Sequence, residues 1–194
     1  MTRLIFEILF VVFIIIAGFI RRPFEKQNKA NNININKKDV TEKLLLGLVM
    51  LGMTILPLLY ILSPWLDFAN YDLPIWLNVF GTLLLIPTAV LFYRSHKDLG
   101  QNWSVSLEIR EHHHLVTNGI YNYIRHPMYS AIFLWTICQG LLLQNYIAGL
   151  SGFLGFGLLY LFRVGREEKM MEKEFGAQYA EYKKNTKRLI PNII

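Results

Sequence analysis

Leu4-Ile5-Phe6-Glu7-Ile8-Leu9-Phe10-Val11-Val12-Phe13-Ile14-Ile15-Ile16-Ala17-Gly18-Phe19-Ile20 is an apolar run broken by one charge, Glu7, about one turn from its start. A helix needs roughly 17–25 such residues to cross the hydrocarbon core of a bilayer, so this run is just long enough to span. The competing reading is a secretory signal peptide, whose positive charge precedes the apolar stretch and whose end carries a small-x-small cleavage site. No such site follows here, and the heavier positive charge, starting at Arg21 and Arg22, comes after the run. A retained membrane span is expected.

The rest of the composition agrees. Of 194 residues, 53% are apolar and 14% aromatic, and the mean hydropathy is +0.31. That is more apolar surface than a soluble domain of this size can bury. The length fits one domain, residues 1–194. The single cysteine, Cys138, excludes an internal disulfide and a cysteine-based zinc site. The formal charge of +6 sits between apolar runs, which points to membrane lipid and topology, not to nucleic acid.

Outward from the first run, residues 21–43 read as a basic linker, with Pro23 marking the end of the preceding helix. Residues 44–62 form a second span in which Pro57 is expected to introduce a kink. The loop 63–74 has no Lys or Arg and carries Trp65 and Tyr71 near interface depth. Residues 75–93 are a third span, followed by the polar segment 94–127. Two shorter apolar runs, 128–143 and 146–162, are joined by Gln144-Asn145 as a tight helical hairpin. After them, Met171, Phe175, Tyr179 and Tyr182 recur at helical spacing and mark one face of an amphipathic helix over about 163–184. The expected fold is all-α: an integral membrane helical bundle of about five spans with a cytoplasmic pocket and an amphipathic C-terminal helix. With 21–43 taken as cytoplasmic and the spans alternating, 19 of the 20 Lys and Arg fall inside. This predicts an outside N-terminus and an inside C-terminus.

The chemistry is expected in residues 112–129, which pack four histidines, Arg125, three tyrosines, Gly119 and Pro127 between apolar segments. Pro127 suits the first turn of a helix, and the residues before it lie beside backbone N–H groups that favour anionic atoms. Arg163 and Glu167, four apart where the last span leaves the bilayer, share a helical face. An ordinary loop-to-helix junction and an i,i+4 ion pair account for the same residues without a site. The adjacent histidines 112–114 have no acidic or cysteine partner at metal-ligand spacing, so no metal is expected. Gly152, Gly155 and Gly157 follow no strand and read as close helix packing, not a nucleotide loop. The spans carry few ionisable groups, which argues against an ion pathway.

Five segments together resemble the isoprenylcysteine carboxyl methyltransferase family, most closely its short five-span members. They are Leu99-Gly100-Gln101-Asn102-Trp103-Ser104, His113-x-Leu115-Val116-x-x-Gly119-Ile120-Tyr121, Arg125-His126-Pro127-x-Tyr129, Arg163-x-x-x-Glu167-Glu168, and Phe175-Gly176-x-x-Tyr179-x-x-Tyr182. The resemblance implies an S-adenosylmethionine site on the cytoplasmic side. By similarity His113, His114, Leu115, Val116, Tyr121, His126, Pro127, Met128 and Tyr129 enclose the cofactor, Glu167 holds its polar end, and Glu108 is a weaker further contact. Arg163 would face the methyl acceptor, a lipophilic small molecule or prenylated peptide whose carboxylate becomes a methyl ester. No obligate protein partner is implied. The wider superfamily also holds phospholipid N-methyltransferases and, more distantly, membrane reductases. N-methylation of a phosphatidylethanolamine-type amine, with Glu168 or a tyrosine as base, is thus the alternative. A reductase and a non-enzymatic membrane protein rank lower.

Overall fold

The structure, a computed structural model, describes residues 2–29, 33–36, 40–102, 108–110 and 114–193. Its elements in order are α1 (Thr2–Lys29), β1 (Ile33–Asn36), α2 (Val40–Met50), a π turn (Leu51–Ile55), α3 (Leu56–Leu62), α4 (Ile75–Leu99), β2 (Glu108–Arg110), α5 (Pro127–Leu143), α6 (Tyr146–Phe175) and α7 (Ala177–Asn185). Short 3-10 turns at Pro64–Ala69 and Gly119–Asn122 link α3 to α4 and lead into α5. The protein is an all-α membrane bundle. Arg3–Gln27, Val40–Leu62, Ile75–Leu99 and Tyr146–Phe175 are long and apolar enough to cross a bilayer, and α5 is a shorter apolar helix packed among them. Among the described residues the helices are joined by a small antiparallel ribbon, in which Ile33 pairs with Arg110 and Asn36 with Glu108.

Phe6, Phe10, Phe13 and Ala17 recur every third or fourth residue and form the buried stripe of α1. Three of these rings pack with Tyr60, Leu85, Cys138 and Leu142 in the largest core cluster, and Phe13 meets Trp135 edge-on at 5.0 Å. Most other apolar side chains of the long helices, such as Ile15, Phe19, Leu83 and Leu161, face outward. This is the pattern of a bundle whose surroundings are lipid.

Pro23 does not end α1, contrary to its reading from sequence; the helix runs through it to Lys29. Tertiary contacts outweigh the lost backbone bond. Phe24 packs its ring 5.4 Å from His96, and Arg22 covers the Phe19 ring at 5.3 Å. Pro57 acts through register instead of a simple kink. The Leu56 N–H bonds Leu51 O in the π turn, and in that register the missing N–H of Pro57 leaves Gly52 O open. Gln139 Nε2 and Ser151 Oγ both donate to that carbonyl at 2.8 Å, which locks α2 to α5 and α6.

The glycines of α6 divide. A methyl on Gly152 would lie 2.5 Å from Gln139 Oε1, and one on Gly155 would lie 3.0 Å from Leu48 O, whereas Gly157 has open space. Close packing therefore explains two of the three. Nor does a separate helix begin at Arg163. No residue between there and Phe175 breaks the hydrogen-bond ladder, so α6 continues as one 30-residue rod. The chain turns at Gly176, whose φ of 50° suits glycine, and only then does α7 begin. Met171 and Phe175 therefore lie on a different helix from Tyr179 and Tyr182.

The long elements alternate in direction, so residues 21–29, 94–102, 114–127 and 163–193 gather at one end, while Arg3, the loop 63–74 and Gln144-Asn145 gather at the other. Asn145 closes that second end, capping α6 through the N–H groups of Ile147 and Ala148 and donating to Leu66 O. Single cysteines replacing the exposed Asp72 and Asn118 should be labelled by a membrane-impermeant maleimide from opposite faces of sealed vesicles. Labelling of both from one face would refute the alternating arrangement.

Candidate active site

Where the basic segments gather, the bundle encloses a cavity of about 240 Å³ bounded by α1, α2, α4, α5, α6, α7 and the loop 114–126. Its deeper wall is apolar, with Leu46 and Val49 from α2, Ile132 from α5, and Phe156 and Leu159 from α6. Its head is polar. Gly119 sets the loop: at φ 61° its backbone sits so close to α4 that a methyl there would lie 2.2 Å from Asp98 Oδ2. The neighbouring Ile120 N–H donates to that carboxylate at 2.8 Å, and Arg94 pairs with it at 3.5 Å. Tyr121 is thereby turned inward, and its hydroxyl donates to Ser95 O at 3.2 Å.

Pro127 opens α5 as its first residue, which swings Tyr129 over α6. The Tyr129 hydroxyl donates to Glu167 Oε2. His126 stacks on the Tyr129 ring at 5.2 Å with 12° between planes, and its Nδ1 lies 3.9 Å from Glu167 Oε1. Arg163 Nε is 3.6 Å from Glu167 Oε2, one helical turn away. A carboxylate, a guanidinium and two stacked rings thus meet at the head of the cavity.

Glu168, the next residue, turns out of the cavity, shares only His126 with this group, and is only 3% exposed. It accepts from Arg125 Nε and Nη2 at 3.2 and 3.1 Å and from Arg188 Nε and Nη2 at 3.0 and 2.7 Å. His126 Nε2 lies 3.4 Å away and Lys183 Nζ 3.6 Å away. The same Arg125 donates through Nη1 to the carbonyls of Lys183 and Thr186. Arg125 and His126 backbone N–H groups donate to Lys187 O and Arg188 O at 2.7 and 2.9 Å, and Ser130 Oγ donates to Leu189 O at 2.6 Å. The C-terminal tail is therefore strapped across the loop that carries the site. Tyr182 adds a hydrogen bond to Tyr121 O at 2.6 Å, and burial pushes its phenol up to about 12, so it is neutral at pH 7.

Of the residues singled out in sequence, His114, Leu115, Val116, Tyr121, His126, Met128, Tyr129, Arg163 and Glu167 all line this cavity. His114 stands at the exposed rim with its ring 3.3 Å from Asn102 Nδ2. Pro127 is buried but does not line the cavity; its part is to start α5. Glu108 is described only as backbone of β2, and His113 lies outside the described residues. The structure adds lining residues that the sequence does not mark as site residues, among them Arg21, His96, Met170, Tyr179 and Tyr182, the two tyrosines being marked there only as a helix face and a family segment. It also adds Glu42, wholly buried, with Oε1 3.8 Å from Arg163 Nη1. Glu42 had been absorbed into the basic linker. Its signal was the helical spacing to Leu45, Leu46 and Val49, which puts it on the face of α2 turned to α6.

Fold and site together define a multi-span membrane protein with a polar-headed, apolar-walled cavity at one end of its bundle. Comparison with known proteins makes the class specific. The model of the isoprenylcysteine carboxyl methyltransferase family matches residues 79–173, which include most of α4, all of α5 and nearly all of α6. Protein-S-isoprenylcysteine O-methyltransferase B of Arabidopsis thaliana is 30% identical over 120 residues, covering 61% of each chain. The Homo sapiens protein-S-isoprenylcysteine O-methyltransferase is 34% identical over 141 residues, or 68% of this chain and 50% of that one. The solved eukaryotic intramembrane Ras methyltransferase ICMT superposes with a TM-score of 0.54 at 26% identity, over 82% of this chain and 55% of that one. Over residues 79–173 the chain matches the isoprenylcysteine carboxyl methyltransferase family, and its matches span between half and two thirds of these relatives' length.

Leaving the Glu168 cluster short of its charge should cost about 3–5 kcal/mol, the usual cost of breaking a buried ion pair. Glu168→Gln is expected to lower the melting temperature and expose residues 186–193 to limited proteolysis. An unchanged digestion pattern would show that the strap is held by something else.

Proposed function

We propose that the chain is an S-adenosylmethionine-dependent carboxyl O-methyltransferase. Its acceptor is the carboxylate of a prenylcysteine-like lipophilic molecule, met at the cytoplasmic face of the membrane in which the bundle sits. The observation that carries this reading is the meeting of Arg163, Glu167, Tyr129 and His126 at the head of a cavity whose deeper wall is apolar. The relatives' names describe the same reaction class for those proteins.

The side chains suit the cofactor. S-adenosylmethionine, when bound, supplies a methyl group carried on a sulfonium. Glu167 offers a carboxylate for an ammonium group, held in place by Tyr129. The faces of Tyr121, His126 and Tyr129 suit a cationic sulfur, and Leu115, Val116, Met128 and Met170 offer apolar contact for a flat base. The exposed His114 is suited to the rim.

Arg163 is assigned to the acceptor. A guanidinium can grip a carboxylate through two parallel N–H bonds, fixing its plane as well as its position. A carboxylate is already ionised at pH 7, so the reaction needs no general base. What remains for the protein is alignment and exclusion of water, and the apolar wall formed by Leu46, Val49, Phe156 and Leu159 supplies the second. The same geometry weighs against N-methylation of a phospholipid amine. An amine must lose a proton, and of the candidate bases Glu168 is engaged on both oxygens by arginines, while the cavity tyrosines Tyr121 and Tyr129 donate their hydroxyls to Ser95 O and Glu167.

Two substitutions test the division of roles. Glu167→Ala is expected to abolish S-adenosylmethionine binding in calorimetry, and near-normal affinity would sink the assignment. Arg163→Ala is expected to bind the cofactor almost as the unmodified protein does, while kcat/KM for the acceptor falls by about 100-fold or more, as when the group that grips the acceptor is lost. Equal loss of both would move Arg163 into the cofactor site.

A further inference from the structure

We infer that Glu42 is a positioning residue: it holds the Arg163 guanidinium from across the helix interface so that this group faces the acceptor. The functional part of this inference rests on the assignment of Arg163 to the acceptor. Arg163 Nε meets Glu167 at 3.6 Å, but the two residues share α6, so that contact moves with the helix. It cannot fix Arg163 against the remainder of the cavity. Glu42 can, because it belongs to α2, and its Oε1 lies 3.8 Å from Arg163 Nη1.

Three features make this contact more than a passing ion pair. Glu42 is fully buried and Arg163 is 8% exposed, so water screens the pair little. Glu42 stands in the first turn of α2, where the helix N-terminus favours a negative charge. The spacing across the interface is set by backbone, since a methyl on Gly155 of α6 would lie 3.0 Å from Leu48 O of α2. The reach between the two side chains is therefore fixed by helix packing.

The two carboxylates divide the guanidinium between them. With Glu42 neutralised, Glu167 becomes the stronger attractor, and Arg163 swings toward it. That shift withdraws the guanidinium from the acceptor while leaving the cofactor carboxylate present. The expected signature is a selective defect in acceptor recognition.

The test uses purified full-length protein in detergent, N-acetyl-S-farnesylcysteine as acceptor probe, and S-adenosylhomocysteine binding as the readout of the cofactor site. Glu42→Gln should raise KM for the probe by about tenfold while S-adenosylhomocysteine affinity stays nearly unchanged. Glu42→Asp, which keeps the charge, should recover part of the loss. An unchanged KM in Glu42→Gln, or parallel loss of KM and S-adenosylhomocysteine affinity in both variants, overturns the proposal. A melting-temperature cycle with Arg163→Gln decides the pairing independently of turnover. Glu42→Gln should lower the melting temperature in the unmodified background and much less in Arg163→Gln; equal drops would show that the two side chains do not interact. If the unmodified protein never methylates the probe, the acceptor assignment fails, and the cycle still decides whether Glu42 holds Arg163.

Discussion

Unbroken helix from Tyr146 to Phe175 is the constraint on which the rest of the molecule depends. The first half of α6 is built for close packing, with Gly152 and Gly155 letting α5 and α2 approach. The second half carries Arg163, Glu167 and Glu168. Because no joint separates the halves, packing in the apolar layer fixes the height and rotation of the charged residues at the head of the cavity. A break near Arg163 would leave the same residues on a separate surface helix, free to move relative to Tyr129 and Glu42.

Rotation along that helix also separates two adjacent carboxylates. Neighbouring residues on a helix point about 100° apart. Glu167 consequently faces Tyr129, His126 and Arg163, while Glu168 faces Arg125, Arg188 and Lys183. One acid remains in the cavity, and the other ties the C-terminal tail to the loop before α5. In the proposed reaction the second acid contributes no proton transfer. It keeps Arg125 and His126, and through His126 the Tyr129 ring, where the first acid needs them.

Much of this was legible in the amino-acid sequence because membrane helices are marked by long apolar runs and by the distribution of basic residues. The cavity residues near Pro127 were legible through a resemblance, since their spacing alone fits an ordinary loop-to-helix junction equally well. Sequence failed where tertiary contacts decide. Pro23 reads as a stop, yet Phe24 against His96 holds α1 together beyond it. Charges after Arg163 read as a new helix, yet nothing in the backbone forces one until Gly176. Glu42 reads as part of a hydrophilic linker, because local composition cannot reveal that an arginine over a hundred residues away neutralises it. The tail was read as one amphipathic helix, and the strap formed by Thr186–Leu189 depends on backbone carbonyls that no side-chain pattern encodes.

The central claim is that an oxygen of a lipophilic carboxylate receives the methyl group. It is tested by supplying methyl-labelled S-adenosylmethionine to membranes containing the protein, with either a prenylcysteine mimic or phosphatidylethanolamine as acceptor, and treating the labelled product with base. An ester on the prenylcysteine mimic, releasing labelled methanol, is the expected result. A base-stable label on phosphatidylethanolamine would contradict the account and reassign the cavity to an amine.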